Sequence, residues 1–307
     1  KLAGTETSTF MANRDIVMVG VDSYNASSQA NASLSAGRDI SLSNAVFDDL
    51  TASAGNAVTL DGVTGGKNHQ VSLSGKTLSV TGQTGTTLSG SSTLINFVSG
   101  SSLTAALTVS HLANGSVMGA VNVSGNGSLK LTGDGGTLGM SGLTIGSGSN
   151  ALTNLNVDLG GGNLVLTAGT LTLDGTSMQN GSLLTTEIGT TLTLNNASSL
   201  AISGAGTIDG TLELNGGSLL TTGGALKVNS QVAGMNGTVT SGGDMTFAGG
   251  LSTTGLGNVL NAVGHTLTLG AASSLAGTTV HAGTLAVNGA TTVDADSLLN
   301  VSGSKPP

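Results

Sequence analysis

The stretch AGRDISLSN at Ala36–Asn44 returns as AGNAVTLDG at Ala54–Gly62. A third form, ANRDIVMVG, stands at Ala12–Gly20. Each has a Gly or Asn, two further residues, and then an apolar–polar–apolar alternation. Alternation with period two marks a strand with one buried face. The apolar pairs are Ile16/Met18, Ile40/Leu42 and Val58/Leu60, and GKTLSV adds Leu78/Val80. Their first members lie 24, 18 and 20 residues apart. A strand that recurs about every twenty residues is an internal repeat, and the repeat decides the fold.

The second half carries the same phrase. TLTL closes at Leu173 and Leu194, TLEL at Leu214, ALKV at Val228, DMTF at Phe247, TLTL at Leu269 and TLAV at Val287. The steps are 21, 20, 14, 19, 22 and 18. Other short strands, such as NLVL (163–166) and SLAI (199–202), lie about seven residues from their neighbours. A strand of about four residues and a short turn make one side, and three sides make one coil. Stacked coils place each strand beside its counterpart in the next. This predicts an all-β parallel β-helix, a solenoid with about 20 residues per coil and three short strands per coil. The steps of 14 and 24 read as a shortened side and an added loop. An antiparallel sandwich would show longer strands and hairpin turns. One continuous β-helix is expected over residues 1–303, with a disordered tail at 304–307. Gly133–Asn150 is the least regular stretch and reads as a loosened coil or junction within it.

Composition agrees with that geometry. The chain is 37% hydrophobic and 8% charged, which excludes the disordered class. Aromatic residues make up 2%, so Leu, Val, Ile and Ala are expected to fill a narrow interior where aromatics do not fit. Glycine numbers 51, and LDG at 60–62 and 173–175 and IDG at 208–210 read as corners needing positive φ. Ser and Thr suit the outward strand positions. Both prolines, Pro306 and Pro307, lie beyond the last strand. The net charge of −8 argues against nucleic acid and against an anionic membrane surface. No run of 18 apolar residues exists, so membrane insertion of this segment as a helix is not expected. Without cysteine, disulfides and thiolate metal sites are impossible. The opening KLAGTETSTF lacks the apolar centre of a signal peptide, and the chain reads as a segment of something longer.

Chemistry-bearing residues are few. Asp294 and Asp296 in VDADS would share one face of a strand, and paired carboxylates suit acid–base work or calcium. A solvated outward pair is the plainer reading, as it is for Asp48 and Asp49. His69, His111, His265 and His281 are the only imidazoles. His265 and His281 are 16 apart, a spacing that would allow them to meet on adjacent coils, but exposed loop histidines fit the sequence better. No catalytic, cofactor or metal site is assigned, Asp294 and Asp296 being only weak candidates. No enzymatic activity and no cofactor are expected.

The residues then show a resemblance. SAGRDISLSNAVFDDLTASAGNAVTLDG (35–62) looks like the haemagglutinin-type repeat of two-partner-secreted filamentous adhesins, whose core is A-G-x-[DN]-[IV]-x-[IL]. Ala36–Leu42 matches it. At Ala54–Leu60, Ala57 replaces the acid or amide, and at Ala12–Met18, Asn13 replaces Gly. AGTLTLDGTSMQNG and HAGTLAVNGATTVDADSLLNVSG resemble autotransporter passenger repeats. The resemblance implies a right-handed helix. It also implies a secreted or cell-surface stalk or adhesive segment of a large Gram-negative adhesin, serving attachment, aggregation or biofilm. The partners implied are a host-cell surface, extracellular polysaccharide or another copy, with an outer-membrane transporter during export. The alternative is a β-helical carbohydrate-active or polysaccharide-binding protein, a lyase or tailspike-like.

Overall fold

The computed structural model of the chain describes residues 7–21, 31–66 and 70–303. The chain is an all-β, right-handed parallel β-helix with about 21 residues per turn. No helix occurs among the described residues. Two compact units divide it, Lys1–Gly160 and Gly161–Pro307. The expected tail at 304–307 lies outside the described residues.

In the first unit the echoed phrases stack as their spacing requires. Ile16 pairs with Ile40, Ile40 with Val58 and Val58 with Leu78; Met18, Leu42, Leu60 and Val80 follow in the same register. Two more files complete the coil. One runs through Leu34, Ala52, Leu73 and Ile95, the other through Phe47, Gly65, Leu88, Val109 and Leu131. Stacking puts each apolar side chain on another at the strand spacing of about 4.8 Å. Burying one such Leu or Val stabilises by roughly 1.5–3 kcal/mol. Gly133–Asn150 is not loosened. Thr137–Thr153 is one strand that turns a corner, with Leu138, Met140, Leu143, Ile145 and Leu152 buried.

The repeat phrase also explains its own glycine. A Cβ on Gly55 would lie 2.2 Å from the carbonyl oxygen of Gly37, and one on Gly37 the same distance from that of Asn13. The coil below leaves no room for a side chain. Asn13 itself belongs to the first described coil. Two corners need glycine for its torsion instead: Gly62 has φ 61° and Gly175 has φ 57°. The third expected corner differs. Gly210 is not in the left-handed region; a Cβ there would meet the Thr190 hydroxyl at 2.2 Å.

In the second unit, Leu171, Leu192 and Leu212 stack in one inward file, with Leu173, Leu194 and Leu214 beside them. The step of 14 from Leu214 to Val228 is not a shortened side. Val228 stacks on Ile208 and Phe247, in a different sheet of the coil. The phrase has changed face, having crossed two of the three sides. All three faces ask for the same apolar–polar–apolar pattern, so the phrase carries no label for its face. At the last described coil the inward files end on Val293, Leu299 and Val301. These are open to solvent, where Val280 and Ala282 one coil earlier are sealed.

The interior is less uniform than expected. Phe47, Phe97 and Phe247 are all fully buried. Phe97 pairs with Gly75, where a Cβ would lie 3.2 Å from the ring, so a missing side chain in one coil makes the space for a ring in the next. Phe47 pairs with Gly65, and Phe247 with Val228 and Leu269. Hydroxyls also point inward. Ser101 stands between Leu78 and Val121, and its hydroxyl donates to the Met118 carbonyl at 2.9 Å. The Thr253 and Thr278 hydroxyls bond each other at 2.7 Å. A buried hydroxyl that finds such a partner avoids the penalty of desolvation.

An inward charge has no such partner. Leu192→Asp should cost about 4 kcal/mol or more and lower the thermal midpoint by at least about 5 °C, or split the transition. Leu219 lies on an outward position and is 37% exposed. Leu219→Asp should shift the midpoint by less than about 2 °C. Equal shifts in scanning calorimetry would refute the register.

Candidate functional site

Several acids stand at the starts and ends of strands. There they act between coils. Asp15 Oδ1 accepts the Asp39 amide, and Asp39 Oδ1 accepts the Ala57 amide at 3.1 Å and the Asn56 amide group at 2.8 Å. This gives the acid of the A-G-x-D phrase its reason: it holds the equivalent position one coil on. Asp49 accepts the Gln70 amide at 2.7 Å and Asp244 the Thr266 amide at 2.9 Å. Asn196 donates to Asp174, and Asn229 donates to Asp209. Asp174 and Asp209 are half-exposed, as corner acids are, and they also bind the neighbouring coil. Such charge-assisted bonds are stronger than neutral ones.

Arg38 reaches back one coil and forms a bidentate pair with Asp15, Nε to Oδ1 at 2.7 Å and Nη2 to Oδ2. The guanidinium's hydrogen bond holds the Asp15 carboxyl below its ordinary 3.8, against a smaller opposing effect of desolvation. The same pairing raises Arg38.

Asp294 and Asp296 do not share a strand face. The strand ends at Val293, and both lie in the turn that follows. Asp294 is taken up by that turn. Its Oδ1 accepts the Ser297 hydroxyl at 2.7 Å, and both of its carboxylate oxygens accept the Gly277 amide at 3.1 Å. An aspartate that caps a turn in this way commits the lone pairs that calcium or a substrate would need.

The histidines do not converge. His281 pairs with Asn261 on one side and Asn300 on the other, and the Asn300 amide group lies 3.4 Å from its Nδ1. His265 falls in a register shift between Ala262 and Thr266 and is exposed. His111 takes a left-handed corner at φ 51°, with Nδ1 3.4 Å from Asp134. His69 lies outside the described residues. Among the described residues, no group of three His, Cys, Asp or Glu side chains is placed to hold a metal ion.

One polar depression was not singled out in the sequence. It is a depression of about 440 Å³ on one sheet of the first unit, lined by Asn31, Ser33, Asp49, Thr51 and Gln70 among others. These residues begin strands on successive coils. Asn31 pairs with Asp49, and Ser33 with Thr51. The carboxamide oxygen of Asn31 is buried and has no hydrogen-bond partner. The signal that would have found the group is the coil offset alone: 18 from Asn31 to Asp49 and 21 from Asp49 to Gln70. Each residue type is otherwise ordinary for an outward position.

The chain matches no protein-family model, no curated protein and no solved structure.

A pH titration tests the turn at Asp294. The Ser297 hydroxyl bond is the largest influence on that carboxyl and lowers its pKa from 3.8, desolvation opposing it. A carboxyl lowered by folding adds stability above its unfolded pKa. That stability is lost as pH falls through the folded value. Ser297→Ala should move the Asp294 carboxyl resonance midpoint back up toward 3.8 in ¹³C NMR. A midpoint that does not move would remove Ser297 from the cause.

Proposed function

We propose that this chain is a non-catalytic stalk and adhesive segment of a large secreted bacterial adhesin, acting at the cell surface. The observation that carries this reading is the use of the ionisable groups. Acids that an enzyme would gather in one groove are distributed along the coils and spent on coil-to-coil hydrogen bonds. A catalytic site needs several such groups converging on one reacting atom. What the coils offer outward is repetitive: Ser35, Ser53 and Ser74 form one file, and Thr185 and Thr207 another. Such faces suit spacing and broad, shallow contact with a host-cell surface, an extracellular polysaccharide or a second copy. A cysteine-free chain also suits passage through an oxidising compartment before folding, with an outer-membrane transporter as the export partner.

The second reading, a polysaccharide-binding or carbohydrate-active β-helix, is favoured by one feature, the polar depression at Asn31 and Asp49. Two measurements separate the readings. Beads coated with the chain should attach to cultured epithelial cells or to biofilm matrix, and soluble chain should compete the attachment away. Incubation with acidic and neutral polysaccharides should release no new reducing ends and produce no unsaturated-uronate absorbance. Turnover that disappears in Asp294→Ala or Asp296→Ala protein would overturn the stalk in favour of an enzyme. Beads that attach to neither surface would remove the adhesive half of the reading.

A further inference from the structure

The depression on the first unit has a chemistry of its own. Its walls are carboxamide, carboxylate and hydroxyl. Asn31 and Gln70 supply amides, Asp49 a carboxylate, and Thr7, Ser33 and Thr51 hydroxyls. Thr7, Asn31 and Asp49 form one outward file across three coils, and Ser33 and Thr51 run beside it. The files step by one strand spacing, about 4.8 Å, which is comparable with the width of a pyranose ring. The groups therefore recur along the solenoid at intervals that suit successive sugar hydroxyls.

We propose that this groove binds a neutral oligosaccharide laid along the coil axis. Three features select that class. The Asn31 Oδ1 is a buried acceptor without a donor, and a sugar hydroxyl is a donor that fits an uncharged acceptor. Asp49 spends Oδ1 on the Gln70 amide, and a carboxylate at the floor repels sulfated and uronic sugars. The hydroxyls of Ser33 and Thr51 donate or accept as the sugar requires. The proposal deepens the adhesive reading by naming the partner's chemistry, and it rests on that reading only for its biological setting.

The experiment is saturation-transfer NMR on the purified full chain with maltohexaose, cellohexaose, chitotetraose and mannohexaose as neutral probes, and oligogalacturonate as the anionic contrast. Signal transfer to at least one neutral probe and none to oligogalacturonate is expected. Asn31→Ala should weaken binding at least about 10-fold, and Asp49→Asn, which removes the charge, should admit oligogalacturonate. Asp244→Asn alters a coil-to-coil acceptor of the same kind in the second unit and should leave binding unchanged. Asp49→Asn keeps an acceptor for the Gln70 amide. If it nevertheless fails to fold, Asn31→Ala carries the test, because the Asn31 side-chain oxygen bonds nothing that folding would miss. Transfer to no neutral probe, transfer to oligogalacturonate alone, or binding untouched by Asn31→Ala would overturn the proposal. The measurement contains no cells. A chain that binds a probe but coats no cell keeps the groove and loses the adhesive role. A chain that attaches equally well as Asn31→Ala keeps the role and loses the groove.

Discussion

Within each unit, the described coils are hydrogen-bonded one to the next through the main chain, strand on parallel strand. That single constraint sets everything else in the molecule. The ladder holds corresponding residues about 4.8 Å apart, so a side chain's nearest neighbours are its counterparts one coil away. Inward positions must pack on their own kind. Corners must turn within two or three residues while another corner presses from above and below. The closeness of Gly55 to the Gly37 carbonyl is the ladder spacing expressed at a corner.

The same constraint explains what several of the aspartates do. Parallel strands in a solenoid bond edge to edge, and corner backbone does so too: the Gly55 amide donates to the Ala36 carbonyl and the Asn56 amide to the Arg38 carbonyl. An aspartate beside such a corner accepts a further main-chain amide of the next coil. Asp39 to Ala57, Asp49 to Gln70 and Asp244 to Thr266 do so.

The period and the buried alternation were legible because a strand and its partner use the same residues at the same phase. Leu171, Leu192 and Leu212 follow from spacing alone. The face on which a phrase sits was not legible. ALKV at 225–228 looks like the continuation of TLEL at 211–214, yet it belongs to another sheet. The three sheets impose one pattern, so identity of pattern carries no position. Asp294 and Asp296 looked like a strand pair because an i, i+2 spacing also fits a turn, and the hydroxyl of Ser297 decides for the turn. The groove at Asn31, Asp49 and Gln70 was invisible for a further reason. Its members are drawn from three coils, and no short motif spans them.

The pairing of Phe47 with Gly65, and of Phe97 with Gly75, bears on how such a chain changes over time. A Cβ on Gly75 would come within 3.2 Å of the Phe97 ring, so those two positions share one space. Phe247 sits instead between Val228 and Leu269, with no glycine beside it. Where ring and glycine share a space, a change at one constrains the other, and drift there proceeds by coupled exchanges between adjacent coils. The repeat therefore erodes in its letters while its period, enforced by the main chain, persists.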